Sequence, residues 1–272
     1  MNYITDISLS IFKTFRLGNF LSQPGCCIYS DLSMSTDEVE IHQSVLPQQS
    51  EDNIRICILS DTHERHYLLE NLPHCDILVH SGDIFMTGRK TPLNSAIAQL
   101  HSFNEWLGTQ SASHRIVIGG NHDQVLEDIG LEQVQIILSN ATYLCNTSIK
   151  VDGLNIWGTP LSNGASGNRA FQSSEFLQHT LDTIKKNKEL GNKVDILITH
   201  GPCRSIGATV KPRIMHIFGH AHALHGISRA RNKSGTREWY TVAAPIMDTS
   251  YSPLQLPIVV DISRPTISTD TA

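Results

Sequence analysis

The stretch Asp76–Asp83, "DILVHSGD", sets Ile77, Leu78 and Val79 ahead of a polar end made by Ser81, Gly82 and Asp83. An apolar run this short falls far below the ~20 residues that a membrane span needs, and its length suits a buried β-strand. Four further runs share the form: "IRICILSD" (54–61), "RIVIGGNHD" (115–123), "VDILITHGP" (194–202) and "IMHIFGHAH" (214–222). Each ends in Gly, Asn, Asp or His. Between them, "TPLNSAIAQLHSFNEWLG" (91–108) carries Ala96, Ile97, Leu100, Phe103 and Leu107 at helical spacing after a Thr-Pro start. "DQVLEDIGLEQVQIIL" (123–138) opens on Asp123, which reads as the cap of a second helix.

Strands alternating with helices imply βαβ units and an α/β fold around a buried sheet. In the second half, "SIKVDGLNIWG" (148–158) and "ISRARNKSGTREWYTV" (227–242) read as hairpins, so antiparallel strands join the architecture. The first 53 residues read differently. Ile4, Ile7, Ile11, Phe12 and Phe15 fall at helical spacing, which suits an appended helix, a presequence or a membrane-surface helix. The vicinal Cys26 and Cys27 are the weakest candidates, as lipidation sites. From Ser30 to Asn53 the chain turns polar. The expectation is therefore an N-terminal extension and polar linker over 1–53 and one catalytic domain over 54–272.

With 272 residues, 40% of them hydrophobic, the chain can bury a sizeable core. A net charge of −5 offers no basic field for a long polyanion, so a small phosphorylated partner is expected and an extended nucleic-acid surface is not. No transmembrane segment is expected. Six cysteines without CxxC pairs and no clear secretory signal point to a reducing, cytoplasmic setting.

In open α/β sheets, the carboxyl ends of strands deliver their polar residues to one crevice. Here those ends supply Asp61 and His63, then Asp83, then Asn121 and His122, then His200, then His220 and His222. Asp61 and His63 lie two apart, as do His220 and His222. In extended chain each pair points one way and can grip a cation. Gly82 lets the backbone turn close to a metal, and the two oxygens of Asp83 can bridge two cations.

Taken in order, "D61-T-H63", "G82-D83", "G120-N121-H122-D123", "H200" and "G219-H220-A221-H222" resemble the calcineurin-like metallophosphoesterases. That resemblance implies a four-layer α/β/β/α sandwich of mixed sheets flanked by helices, and a dinuclear metal site. Asp61, His63 and His222 would hold one ion and Asn121, His200 and His220 the other, with Asp83 between them. His122 would be the catalytic residue, a general acid or donor at the leaving-group oxygen. Nitrogen and oxygen ligands without a thiolate suit two divalent ions such as Mn, Fe or Zn. Such a pair would activate a hydroxide for hydrolysis without a covalent intermediate.

A narrower resemblance, from Ile54 to Asp261, is to the metallophosphoesterase-domain-containing proteins of the brain type. It rests on "LVHSGDIFMTG", "IWGTPLSNGASGNRAFQ", "HIFGHAHALHG" and "VAAPIMDTSYSPLQLPIVVDI". It implies a small-substrate phosphodiesterase, with cyclic nucleotides among the candidates. The rivals are a phosphomonoesterase or nuclease of the same superfamily, or a catalytically weak metal-bound regulatory protein. Two departures bear on the pocket: the segment from Pro202 to Gly219 is shorter than in those relatives, and "ALHG" follows His222 where they often carry Glu-Gly.

Other polar residues carry blander expectations. His80 and His216 lie in strand patterns and read as core. His42, His74, His101, His114 and His179 read as solvated, His66 as helix surface, and His225 as exposed or behind the site. Arg89, Arg169 and Arg204 follow motif elements and could bind phosphate, with Arg169 favoured by its Gly-rich loop. Cys203 adjoins "THGP" without a sign of a lowered pKa.

Overall fold

The computed structural model describes residues 26–265 apart from 35–37, 70–71, 87–90, 163–165, 187–192, 233–234 and 254. The helix expected before residue 25 and Arg89 lie outside the described residues, as does the side chain of Arg204.

Two mixed sheets face each other. The first runs in the order β2 (Val39–His42), β1 (Cys26–Asp31), β13 (Ile258–Ser263), β3 (Asn53–Leu59), β4 (Cys75–His80), β5 (Ala112–Val117) and β6 (Thr142–Tyr143). The second is β11 (Gly226–Arg231), β12 (Glu238–Ala243), β10 (Met215–Phe218), β9 (Ile196–Thr199), β8 (Leu154–Thr159) and β7 (Thr147–Val151). Helices α1 (Leu93–Thr109) and α2 (Gln124–Ile137) pack beside the first sheet, and α3 (Ser174–Lys186) and α4 (Arg204–Val210) cover the second.

The layering follows from side-chain alternation. On β9, Ile196 and Ile198 enter the main core, while Leu197 turns to a separate cluster with Trp157, Ile184, Cys203, Ile206 and Val210. Every residue of β3 is buried, as expected for a central strand covered on both faces. The result is the α/β/β/α sandwich, and both hairpins form, β7 with β8 and β11 with β12.

The N-terminal reading needs correction. β1 lies inside the first sheet, parallel to β13 with Ile28 opposite Ile258, and β2 closes that edge. The polar linker reading therefore fails for these strands, and no boundary falls at residue 53. Arg55 of β3 explains the attachment. Its guanidinium meets both oxygens of Asp261 on β13, at 2.8 and 2.7 Å, and the Tyr29 hydroxyl on β1 donates to the same carboxylate at 2.9 Å. A buried bidentate pair of this kind fixes strand register. Cys27 is fully buried in β1, out of reach of lipidation, and none of the six cysteines is in a disulfide. α2 is also less regular than its spacing implies, because Gly130 (φ 79°) breaks it.

Strands β3, β4 and β5 run parallel, as do β8, β9 and β10, so each sheet gathers its carboxyl ends on one side. A bridge between Ser60 and Pro245 ties the two ends together. The polar strand ends of both sheets thus meet in one place.

Candidate metal centre

Strands β3, β4 and β10 turn sharply where they deliver their polar residues. Asp61 (φ 53°), His63 (φ 44°), Asp83 (φ 57°) and His220 (φ 63°) all adopt left-handed backbone. Such conformations cost of order 1 kcal/mol or more each and gather at functional sites. Asp61 and His63 therefore do not converge by lying on one side of extended chain, and neither do His220 and His222, which occupy a tight turn after β10. Space is equally constrained. A Cβ on Gly82 (φ 99°) would approach the Gly119 oxygen within 2.5 Å, and one on Gly219 would collide with the Asp61 carboxylate.

The convergence produces two groups of ligand atoms. Those of Asp61, His63 and His222 lie within 4.8 Å of one another, and so do those of Asp83, His200 and His220. Asn121 joins the second group, its Oδ1 at 3.0 Å from His200 Nε2 and 2.8 Å from His220 Nδ1. Asp83 faces both, with one oxygen 3.2 Å from His200 Nε2 and the other 3.8 Å from His63 Nε2. A third, overlapping group is His63, Asp83 and His122.

The imidazole tautomers test whether a cation fits. A carbonyl oxygen only accepts, so a ring nitrogen against one must carry the proton. His63 Nδ1 meets Phe85 O at 2.8 Å, His200 Nδ1 meets Ser81 O at 2.9 Å and His222 Nδ1 meets Asp248 O at 2.9 Å. In each neutral ring the electron pair is then on Nε2, aimed into the cluster. His63 Nε2 and His222 Nε2 face each other at 3.4 Å, a contact unfavourable for two bare lone pairs and relieved by a shared cation or by a proton on His222, whose Nε2 also lies 3.2 Å from Asp61. Asn121 is fixed in the same sense. Its Nδ2 donates to Ser166 Oγ and Asn168 O, which turns Oδ1 inward.

Electrostatics match. Burial opposes charge on Asp61 and Asp83, yet the imidazoles around them, His222 and His200 for Asp61 and His200, His63 and His122 for Asp83, hold both carboxyls below their usual range. Burial opposes a charge on His200 too, but Asp83 and Asp61 raise it to about 9. Burial and the neighbouring His200 push His220 down to about 4, and burial lowers His63.

Several supporting residues escaped the sequence reading. Asp123 makes no cap with its side chain. Its carboxylate turns back instead and accepts from the amides of Gly120, Ile84 and Phe85 at 2.8 to 3.0 Å, pinning the Asp83 turn to the Asn121 turn. The Gly-rich loop acts through Asn168, whose amide lies 3.1 Å from His122 Nε2, while Arg169 is exposed. Tyr251 (φ 58°) stands over the centre, its ring 5.0 Å from that of His63 and 4.9 Å from that of His222. The turn that places it is held by Asp248, which accepts from the amides of Ser250 and Ser252.

Of the remaining histidines, His80 and His216 are core residues bonded to Thr62 and Thr199. His74, His101, His114 and His179 are exposed. His66 is not on the surface: it is buried against Phe103 and Trp106. His225 is half-buried and bonded to Leu256 O. The side chain of His42 lies outside the described residues. The segment from Pro202 to Gly219, read as short, still holds a helix, α4.

An α/β/β/α sandwich whose two sheets bring carboxylate, amide and imidazole ligands to one end defines a metal-dependent phosphoesterase. The chain belongs to the calcineurin-like phosphoesterase family, which it matches over residues 54–226. Members of this family hold two divalent ions, and the tautomers above show that the residues present fit them. The chain is 29% identical to a UPF0046 protein of Caenorhabditis elegans over 79% of its own length and 83% of that protein. It is 29% identical to metallophosphoesterase domain-containing protein 1 of Homo sapiens, over 78% of its length and 72% of the relative. One solved structure, 15% identical, shares the fold with a TM-score of 0.52 over 70% of this chain and 90% of that one. No helix among the described residues is long and apolar enough to cross a membrane.

Proposed function

We propose that the chain is a phosphodiesterase for small organic substrates, cyclic nucleotides among them. Asp61, His63 and His222 would hold one divalent ion and Asn121, His200 and His220 the other, with Asp83 placed to serve both. The observation that carries this reading is the position of Asp83, with one oxygen toward each group of ligand atoms. When bound, the two ions supply Lewis acidity and positive charge to a water molecule and to the phosphoryl oxygens.

The chain's own residues do the rest. Asn121, a neutral donor, leaves Asp61 and Asp83 as the only carboxylates in the ligand set, so a surplus of positive charge remains for an anionic phosphoryl group. Backbone carbonyls hold His63, His200 and His222 with their electron pairs inward. His122 donates from Nδ1 to Met86 O at 2.6 Å, so Nε2 is the atom that can deliver a proton to the leaving-group oxygen, which it does from the doubly protonated ring. Diester preference is supported by the brain-type resemblance of "HIFGHAHALHG" and "VAAPIMDTSYSPLQLPIVVDI". Six cysteines outside any disulfide fit a cytoplasmic setting.

The test is reconstitution with Mn²⁺ followed by turnover of bis-p-nitrophenyl phosphate, p-nitrophenyl phosphate, 2′,3′- and 3′,5′-cyclic nucleotides and plasmid DNA. Diesters should turn over faster than the monoester, and DNA should remain intact. Absence of turnover on all of them sinks the reading.

A further inference from the structure

Beside His122 a cleft of about 300 Å³ opens between α1, α2 and the turn after β4. His122 links it to the centre: the same side chain stands in the cleft wall, 3.9 Å from an Asp83 oxygen and with its ring 4.7 Å from that of His63. The cleft has a buried floor of Phe85, Ala96 and Val125. At its mouth stands Leu93, 54% exposed although it is a large apolar residue. The polar groups of the wall are Thr91, Gln124 and Asp128. The Gln124 side-chain amide donates to Glu127 and Asp128 at 2.9 and 2.8 Å, and Glu127 lies in the first turn of α2, where a carboxylate answers the helix N-terminus.

We infer that this cleft receives the leaving group of the substrate and selects an uncharged organic alcohol with an apolar face over an anionic one. The inference rests on the phosphodiesterase reading and adds the leaving-group class to it. Phosphate at the metal groups places the leaving oxygen near His122 Nε2, and among the described residues the cleft is the cavity that His122 itself lines, so the body of that group enters there. Water forms the new P–O bond as the old one breaks and gives up one proton to solvent, while the proton of His122 Nε2 goes to the departing oxygen, so a neutral alcohol is released beside Phe85 and Val125. A charged group would meet an apolar floor and the Asp128 carboxylate, an unfavourable pairing on both counts.

The kinetic test uses the Mn²⁺-loaded full chain and two diesters whose alcohols leave with a proton, methyl 4-nitrobenzyl phosphate and methyl 4-carboxybenzyl phosphate. The native chain should favour the first in kcat/KM by about tenfold or more, and the exposed substitutions Asp128→Asn and Leu93→Lys should narrow that ratio to about threefold or less. A ratio unmoved by either substitution overturns the inference. A second readout is independent of turnover: saturation-transfer NMR of the full chain with 4-nitrobenzyl alcohol and with 4-(hydroxymethyl)benzoate. The alcohol should bind and the benzoate should not, and Val125→Trp, which fills the floor, should abolish the alcohol signal while the melting temperature confirms a folded chain. If no ester turns over yet the alcohol binds and Val125→Trp removes it, the phosphodiesterase reading fails and the cleft stands. If the alcohol does not bind, or binds equally after Val125→Trp, the cleft is not its site.

Discussion

Asp83 turns one carboxylate oxygen to His200 Nε2 at 3.2 Å and the other to His63 Nε2 at 3.8 Å, so one side chain faces both groups of ligand atoms. Its backbone is left-handed, and its Oδ1 also accepts from the His122 amide at 2.9 Å. The two sheets therefore meet chemically at this residue, since His63 follows β3 of the first and His200 follows β9 of the second.

Asp83→Asn keeps the size and the acceptor for the His122 amide but removes the negative charge shared by both groups. Bound metal should fall below two ions per chain and kcat/KM should drop by about 100-fold or more. Elemental analysis after dialysis, with turnover of bis-p-nitrophenyl phosphate, checks both. Two retained ions with full activity would remove Asp83 from the centre.

Asp123→Ala should be costly for stability although Asp123 touches no ligand atom. Its carboxylate serves three buried amides, those of Gly120, Ile84 and Phe85. Without it those donors lose their acceptor, at about 3 kcal/mol in total, and the Asp83 turn loosens from the Asn121 turn. Urea unfolding should show the midpoint falling at unchanged slope. A loss within about 0.5 kcal/mol would show that water replaces the carboxylate.

What was legible in the sequence was local. Each candidate ligand follows a short apolar run, so strand ends and the polar residues that converge after them could be read together from "IRICILSD" to "IMHIFGHAH". What was not legible depended on distant partners. "CCIYSD" looks like the end of an N-terminal extension running into a polar linker because its partner strand, Ile258–Ser263, comes at the opposite end of the chain. His66 reads as surface because its burial is made by Phe103 and Trp106 of α1. Asp123 occupies a cap position in sequence, yet buried amides across the turn claim its oxygens. Tyr251 and Asn168 sit in segments with no periodicity, and only the folded chain shows that they reach His63 and His122.

His66→Phe should make stability less sensitive to acid. Burial holds His66 down to about 4, against the ordinary 6.5 of an exposed imidazole. Above pH 6.5 neither state binds the proton and the residue contributes no pH dependence. Between 6.5 and 4 the unfolded chain takes up the proton and the folded chain does not, so stability falls as pH falls, and below 4 the loss levels off. At pH 5 this linkage amounts to about 2 kcal/mol. Phenylalanine retains the contacts with Phe103 and Trp106, and it removes Nδ1, which is buried without a partner. Urea midpoints at pH 7.5 and pH 5 should therefore lie closer together in the variant. An unchanged gap would show that His66 is protonated in the folded chain.

His122→Asn separates proton delivery from metal binding. His122 belongs to a group with His63 and Asp83 whose geometry could also hold an ion, so its role has to be tested apart from theirs. Its Nδ1 donates to Met86 O, and Asn168 lies 3.1 Å from Nε2, so the ring is held by the Gly-rich loop and by the turn after β4. An asparagine keeps a polar group at the position but cannot deliver a proton to a departing alkoxide. Both ions should stay bound, while kcat falls by about 100-fold for a poor leaving group and much less for 4-nitrophenolate, which leaves without a proton. Comparing the two ester types in the metal-loaded variant, with metal content measured on the same sample, decides the point. Loss of an ion would make His122 a ligand, and equal slowing of both esters would make it a positioning residue for the phosphoryl group.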